Sequence, residues 1–141
     1  MIYKEQITTV TDFHSSKSKE KNSIFIGQVF PLESEIEFHK ILEEVKRDLY
    51  DASHHCYAYR LKNDLFKYSD DGEPSGSAGV RILNAIEHFD LKDVLVIVNR
   101  YFGGTKLGIG PLGKAYFDSA FQVLNQAKKI TKHAFLKIKL F

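Results

Sequence analysis

The stretch VLVIVNRYFGGTKLGIGP, residues 94–111, decides the fold, because it joins a buried strand to the start of a long helix. Residues 94–98 are aliphatic, largely β-branched and bounded by polar residues, which is typical of a strand covered on both faces. From Leu112 to Ala127 apolar residues recur at helical spacing, and Pro111 occupies the favoured first helical position. We therefore predict a central strand followed by an amphipathic helix that begins at Pro111.

The remaining sequence predicts a single α+β domain. Ser34 and Glu37 form a capping-box signature at the start of a further helix, and residues 11–22 are polar and predict a loop. The other predicted elements are strands at 2–10, 23–30, 54–61 and 65–68, helices at 34–49 and about 80–88, and a C-terminal strand in which Leu136, Ile138 and Leu140 alternate with lysines. This order predicts a mixed or antiparallel sheet with helices packed on one face.

Composition limits the class of protein. A chain of 141 residues with 43% apolar content is long enough for one domain with a proper core. The net charge of +2 does not by itself indicate nucleic acid, although lysines make the C-terminal end locally basic. The single Cys56 cannot form an internal disulfide, and the longest aliphatic run is far shorter than the ~20 residues that cross a bilayer. We expect a cytoplasmic protein with no membrane partner.

The glycine-rich segment after the central strand is the first candidate site. Glycine leaves the backbone open to an anion, and unpaired N–H groups at a helix start favour phosphate. The candidate phosphate- or nucleic-acid-binding residues are Arg100, Gly103, Gly104, Lys106, Gly108, Gly110 and Lys114. The spacing matches neither the P-loop nor the dinucleotide fingerprint. The alternative is a tight strand-to-helix turn whose glycines serve packing alone.

An acidic loop is the second candidate site. Asp70, Asp71 and Glu73 are three carboxylates within four residues, which could hold magnesium or supply an acid and base pair. The alternative is that they favour the dipole of the following helix, with Ser75 or Ser77 as its cap. No cofactor is assured by this pattern.

The third candidate is the strand at 54–61. Alternation places His55, Tyr57 and Tyr59 on one face and His54 and Cys56 on the other. The aromatic face could stack unpaired bases, or it could pack against another strand, a loop or a subunit. Cys56 and His54 share a face, but no orienting third group supports a nucleophile pair.

Three segments together resemble the IMPACT family, also called the YigZ or UPF0029 family: residues 51–59, 69–79 and 100–116. The resemblance implies a fold like the second domain of small-subunit ribosomal protein five and the fourth domain of elongation factor G. It also implies a role in translation, since eukaryotic relatives interfere with activation of the kinase that phosphorylates initiation factor two. Bacterial relatives continue into a ferredoxin-like domain. We therefore expect an N-terminal-like domain at 1–131, and at 132–141 a C-terminal strand or the start of a missing second domain.

Three functional hypotheses follow. The first is a regulator of translation that binds RNA, the ribosome or a translation factor through the open sheet face and the glycine-rich corner. The second is a phosphate- or nucleotide-dependent enzyme that uses the glycine-rich loop 103–110 and magnesium at the acidic loop 70–73. The third is a protein-interaction module that uses exposed aromatic residues.

Overall fold

The protein is described here by a computed structural model that covers residues 2–137. Its elements in chain order are β1 (Ile2–Val10), β2 (His14–Glu20), β3 (Ser23–Pro31), α1 (Glu35–Asp48), β4 (His54–Arg60), β5 (Phe66–Ser69), α2 (Gly79–His88), β6 (Val94–Tyr101), α3 (Ile109–Gln126) and β7 (Lys129–Lys137). None of the helices in this part of the chain is long and apolar enough to cross a membrane.

The strands form two antiparallel sheets. The larger has the order β2-β3-β6-β4-β5, so β6 pairs with β3 on one side and with β4 on the other. The smaller consists of β1 and β7, paired along their full lengths. The α+β class, the antiparallel sheet and the central position of the aliphatic strand are confirmed.

The helices cover both faces of the large sheet, so the prediction of helices on one face is wrong. Val96 and Val98 belong to the core beneath α2 and α3. Leu95 and Ile97 point the other way and pack with Phe38 of α1. Successive strand residues face opposite sides, so an uninterrupted apolar run needs a cover on each. Helix α1 supplies the second cover.

Strand β2 lies within residues 11–22, where the sequence predicted a loop. It pairs with β3 through a two-residue turn at Lys21 and Asn22, both with positive φ, as a type I′ hairpin requires. As an edge strand its side chains are half-buried or exposed and polar, so its sequence lacks the apolar alternation that marks a strand.

The helix and strand ends differ slightly from the predictions. Helix α3 begins at Ile109 rather than at Pro111, after Gly108 with φ 83°. The predicted cap of α1 is confirmed, since the Glu37 amide donates to Ser34 Oγ. Strand β7 crosses the proposed domain boundary at 131/132 without a break. The alternating positions Ile138 and Leu140 lie outside the described residues.

Helix α1 should contribute to stability through Phe38, which is 1% exposed and contacts the rings of Tyr57 and Tyr59. We expect Phe38→Ala to lower the free energy of unfolding by about 3–5 kcal/mol, because it leaves a cavity between α1 and the sheet. Urea denaturation measures the change. Ile36→Ala on the same helix is the control, since Ile36 is 85% exposed and should change stability by less than about 0.5 kcal/mol. Equal effects of the two substitutions would contradict the packing of α1 on the sheet.

Candidate functional site

A cleft of about 440 Å³ opens where the acidic loop, the end of β6 and the start of α3 meet. His54, Glu73, Arg100 and Lys106 are its charged or titratable lining residues. The rest of the wall is largely apolar and is formed by Pro74, Phe102, Leu107, Ile109 and Leu112, together with Gly108. The structure therefore brings one member of the acidic loop next to three of the predicted phosphate-binding residues.

Arg100 occupies the floor of this cleft. It follows Val98 on the same face of β6 and pairs in register with His54 of β4. The residue is only 5% exposed. Its Nη1 donates to both carboxylate oxygens of Glu73, at 3.0 and 2.9 Å, and its Nε donates to Ser23 Oγ at 3.2 Å. The sheet and the acidic loop thus hold the guanidinium in one orientation.

The Glu73 carboxylate is fully engaged. Besides Arg100, it accepts a short hydrogen bond from the Tyr116 hydroxyl of α3, and His54 Nε2 lies 3.4 Å from Oε1. Its side chain is almost completely buried. A buried carboxylate needs such partners, because desolvation of a lone charge is very costly. Glu73 therefore joins β4, β6 and α3 at one point.

The neighbouring Tyr116 and Cys56 stay protonated. Burial raises the pKa of the Tyr116 hydroxyl far above its ordinary value, and the nearby Cys56 raises it further. Burial likewise raises the pKa of the Cys56 thiol, which donates to the Asp70 carbonyl. Tyr116 is consequently a permanent donor to Glu73, and Cys56 is an inert thiol rather than a nucleophile.

His54 is oriented by the acidic loop and not by Cys56. Its Nδ1 lies 2.8 Å from the Asp71 carbonyl oxygen. A carbonyl only accepts hydrogen bonds, so Nδ1 carries the hydrogen. The ring is thereby fixed with Nε2 towards Glu73 at the edge of the cleft.

The three carboxylates of the acidic loop do not converge on a cation. Asp70 accepts from the amides of Gly76, Ala78 and Gly79, which ties the loop to the start of α2. Asp71 accepts from the His55 amide at 2.7 Å. Within residues 2–137, no group of three or more His, Cys, Asp or Glu side chains is placed to hold a metal ion. The loop therefore stabilises the start of α2, but Asp70 does this and not Ser75 or Ser77.

The glycines serve two different purposes. A Cβ on Gly103 would lie 2.0 Å from the Asn22 carbonyl oxygen, so this glycine lets the loop pack on the β2–β3 turn. Gly104 and Gly108 have φ of 91° and 83°, a region that favours glycine. A Cβ on Gly110 would meet nothing within 4 Å. Packing thus explains Gly103, whereas Gly110 leaves open space at the helix start.

The first amides of α3 remain open to a ligand. Among the hydrogen bonds within residues 2–137, none has the backbone N–H of Ile109 or Gly110 as its donor, and both residues are exposed. Lys106 lines the cleft beside them. Lys114 does not line it, because its ammonium pairs with Asp118 on the outer surface of α3. Arg100, Lys106 and Gly108 are therefore the predicted phosphate-binding residues that meet in the cleft.

The aromatic stripe is not available for stacking, so the open-sheet-face prediction is wrong. His55, Tyr57 and Tyr59 are all buried. Tyr57 and Tyr59 pack on Phe38 of α1, and the His55 ring bonds to Asn99 of β6. Burial raises the pKa of Tyr59, whose hydroxyl donates to Glu35. The alternative interpretation, that the stripe packs against another element, is the one the structure supports.

Sequence reasoning missed His54 and Phe102 as lining residues of the cleft. The sequence holds one signal: Arg100 lies on the same face of the strand as Val96 and Val98. A charged residue on a buried face needs a partner. The partner lies 27 residues away in a loop, and local patterns do not show which loop reaches the end of the strand.

The buried ion pair should carry much of the local stability. We expect Glu73→Gln to lower the free energy of unfolding by about 3–5 kcal/mol, because it leaves the Arg100 guanidinium buried without a counter-charge. Asp118→Asn is the matched control, since it removes an exposed pair with Lys114, and exposed pairs contribute little to stability. Thermal unfolding of both variants measures the difference. A melting temperature of Glu73→Gln close to that of the wild type would overturn the assignment.

The two glycine roles can be separated by alanine. Gly103→Ala should destabilise the fold by at least about 1–3 kcal/mol, because the new methyl group meets the backbone of Asn22. Gly110→Ala should be neutral or stabilising by up to about 1 kcal/mol, since the site is open and helical. Chemical denaturation tests this order, and the reverse order would contradict the described loop.

The chain is similar in sequence to known proteins. Residues 21–124 match the family model described as the Impact N-terminal domain. IMPACT family member YvyE of Bacillus subtilis is 41% identical over 107 residues, which cover 74% of this chain and 49% of that protein. An IMPACT family member of Thermus thermophilus is 42% identical over 109 residues, covering 77% and 59%. The chain thus spans about half the length of the curated relatives it matches.

Solved structures give the same picture of the fold. The crystal structure of a protein described as hypothetical superposes with a TM-score of 0.87 at 30% identity, covering 91% of this chain and 64% of that one. The two-domain translational regulator Yih1 matches at 24% identity with a TM-score of 0.47, too weak a likeness to bear on function. Because the family match covers well over half of the 141 residues, this chain belongs to the IMPACT family.

Proposed function

We propose that this domain is an RNA-binding module that acts in translation, and that it holds RNA in the cleft rather than on the sheet face. One observation carries the proposal: Arg100, Lys106 and Ile109, the first residue of α3, line the same cleft. The link to translation comes from the family resemblance and is part of the proposal.

The electrostatics of the cleft favour an anion. Arg100 and Glu73 offset each other, which leaves Lys106 and the positive end of the α3 dipole. Such a dipole stabilises a nearby negative charge by about 0.3–1 kcal/mol at an exposed site. Backbone N–H groups at a helix start are also geometrically suited to phosphate oxygens. A phosphate in the cleft would gain from all of these groups.

The apolar wall favours a nucleic acid over a bare ion. Phe102 is 47% exposed and Ile109 65% exposed, and both border the cleft. An exposed aromatic ring beside a positive groove is the usual arrangement for single-stranded RNA, where stacking contributes about 1–3 kcal/mol per base. The covered sheet face leaves Phe102 as the aromatic side chain that is open at this site.

The alternative of a magnesium-dependent enzyme loses its basis at the acidic loop. Asp70 bonds to the start of α2, Asp71 bonds to β4, and Glu73 bonds to Arg100. Each carboxylate thus already binds a group of the protein, and in residues 2–137 no three such side chains are placed to share a metal ion.

RNA binding can be measured by fluorescence anisotropy with a short single-stranded RNA at low salt. We expect Lys106→Glu to weaken binding about tenfold or more, equivalent to about 1.4 kcal/mol. The slope of log affinity against log salt concentration should also fall by about one, the value for one lost phosphate contact. Lys114→Glu makes the same charge change outside the cleft and should have a much smaller effect. Equal losses in the two variants would place the RNA elsewhere, and no binding by the wild type would reject the proposal.

A further inference from the structure

The Arg100 guanidinium keeps one donor group free. Its Nε and Nη1 are occupied by Ser23 and Glu73, and no described residue accepts from Nη2. In the same part of the chain no fully buried side-chain nitrogen lacks a partner. Nη2 is therefore not fully buried, and the cleft is an open space that Arg100 lines. A largely buried side chain of the cleft wall thus keeps one donor without a partner among the described residues.

The available donors suit a terminal phosphate better than an internal one. Arg100 Nη2, Lys106 Nζ and the Ile109 amide all belong to residues of the cleft wall. They lie within one short stretch of chain, at the end of β6, in the glycine-rich loop and at the start of α3. A phosphomonoester offers three oxygens and up to two charges, whereas an internal diester offers two free oxygens and one charge. Three donors in one cleft therefore match the three oxygens of a monoester better than the two of a diester.

The space beside these donors suits one nucleoside. The cleft volume of about 440 Å³ lies within the range of small-molecule sites and holds a single nucleotide. The Arg100 guanidinium lies over the Phe102 ring at 5.4 Å, which covers one face of that ring. Phe102 is still about half exposed and can stack a planar group. A base on Phe102 would leave its phosphate free to reach the start of α3.

We infer that the cleft binds one nucleotide carrying a terminal phosphomonoester, supplied either by the phosphorylated end of an RNA chain or by a free nucleoside monophosphate. The inference rests on the proposed function for the RNA source, but the nucleotide chemistry follows from the cleft itself. Glu73 does not oppose it, because both of its oxygens are already bonded within the protein.

The test uses the whole chain and three probes in titration calorimetry. The probes are a short RNA with a 5′-phosphate, the same RNA with a 5′-hydroxyl, and adenosine monophosphate. We expect the phosphorylated RNA to bind at least tenfold more tightly than its 5′-hydroxyl counterpart, and adenosine monophosphate to compete with it.

Equal binding of the two RNAs would overturn the inference while leaving the proposed function intact. Binding of adenosine monophosphate with no binding of either RNA would support the inference and reject the proposed function. If no probe binds, both are rejected.

Variants locate the ligand. Lys106→Gln should weaken the binding of the phosphorylated probes several-fold, whereas Lys114→Gln should leave their binding unchanged. Phe102→Ala should weaken adenosine monophosphate several-fold but not inorganic phosphate, because it removes stacking and keeps the donors. Phe102 is half exposed, so this variant should fold, and a normal melting temperature checks that it does. Equal loss of both ligands in Phe102→Ala would contradict the placement of the base.

Discussion

The buried pair of Arg100 and Glu73 is the interaction on which the rest of the structure depends. It ties the end of β6 to the acidic loop, and through Tyr116 and Ser23 it reaches α3 and β3. Two charges taken out of water stabilise a fold only if their remaining hydrogen-bonding capacity is used. Here Ser23, Tyr116 and His54 surround the pair, so five parts of the chain, β3, β4, the acidic loop, β6 and α3, must take up their positions together.

This pair also sets the chemistry of the cleft. It neutralises Glu73, the carboxylate among the described lining residues of the cleft, so an incoming anion meets no net repulsion from it. It also holds the guanidinium in one orientation. Arg100 therefore loses less side-chain entropy on binding a ligand than a mobile arginine would. A stabilising contact of the fold therefore prepares a binding site.

The strongly periodic parts of the fold could be predicted from sequence, and so could its centre. The aliphatic run of β6 and the helical repeat of α3 are predicted correctly, because the local spacing of apolar residues indicates which of their side chains are buried. Strand β2 could not be found this way, since its polar edge residues follow no apolar period. The cover on Tyr57 and Tyr59 was missed for another reason: nothing in β4 itself says that α1 folds back over it. The cleft depends on contacts between distant segments, so only its Arg100, Lys106 and Gly108 members were identified together.

The glycine-rich loop combines the two interpretations that the sequence left open. Gly103 is required by contact with the backbone of Asn22, which is a packing requirement and fixes where the loop leaves β6. Gly108 adopts a positive φ, which turns the chain into α3 two residues ahead of Pro111. Because Pro111 has no N–H, the open donors at this helix start are those of the residues just before it. The loop therefore combines a packing requirement at Gly103 with free amides at Ile109 and Gly110.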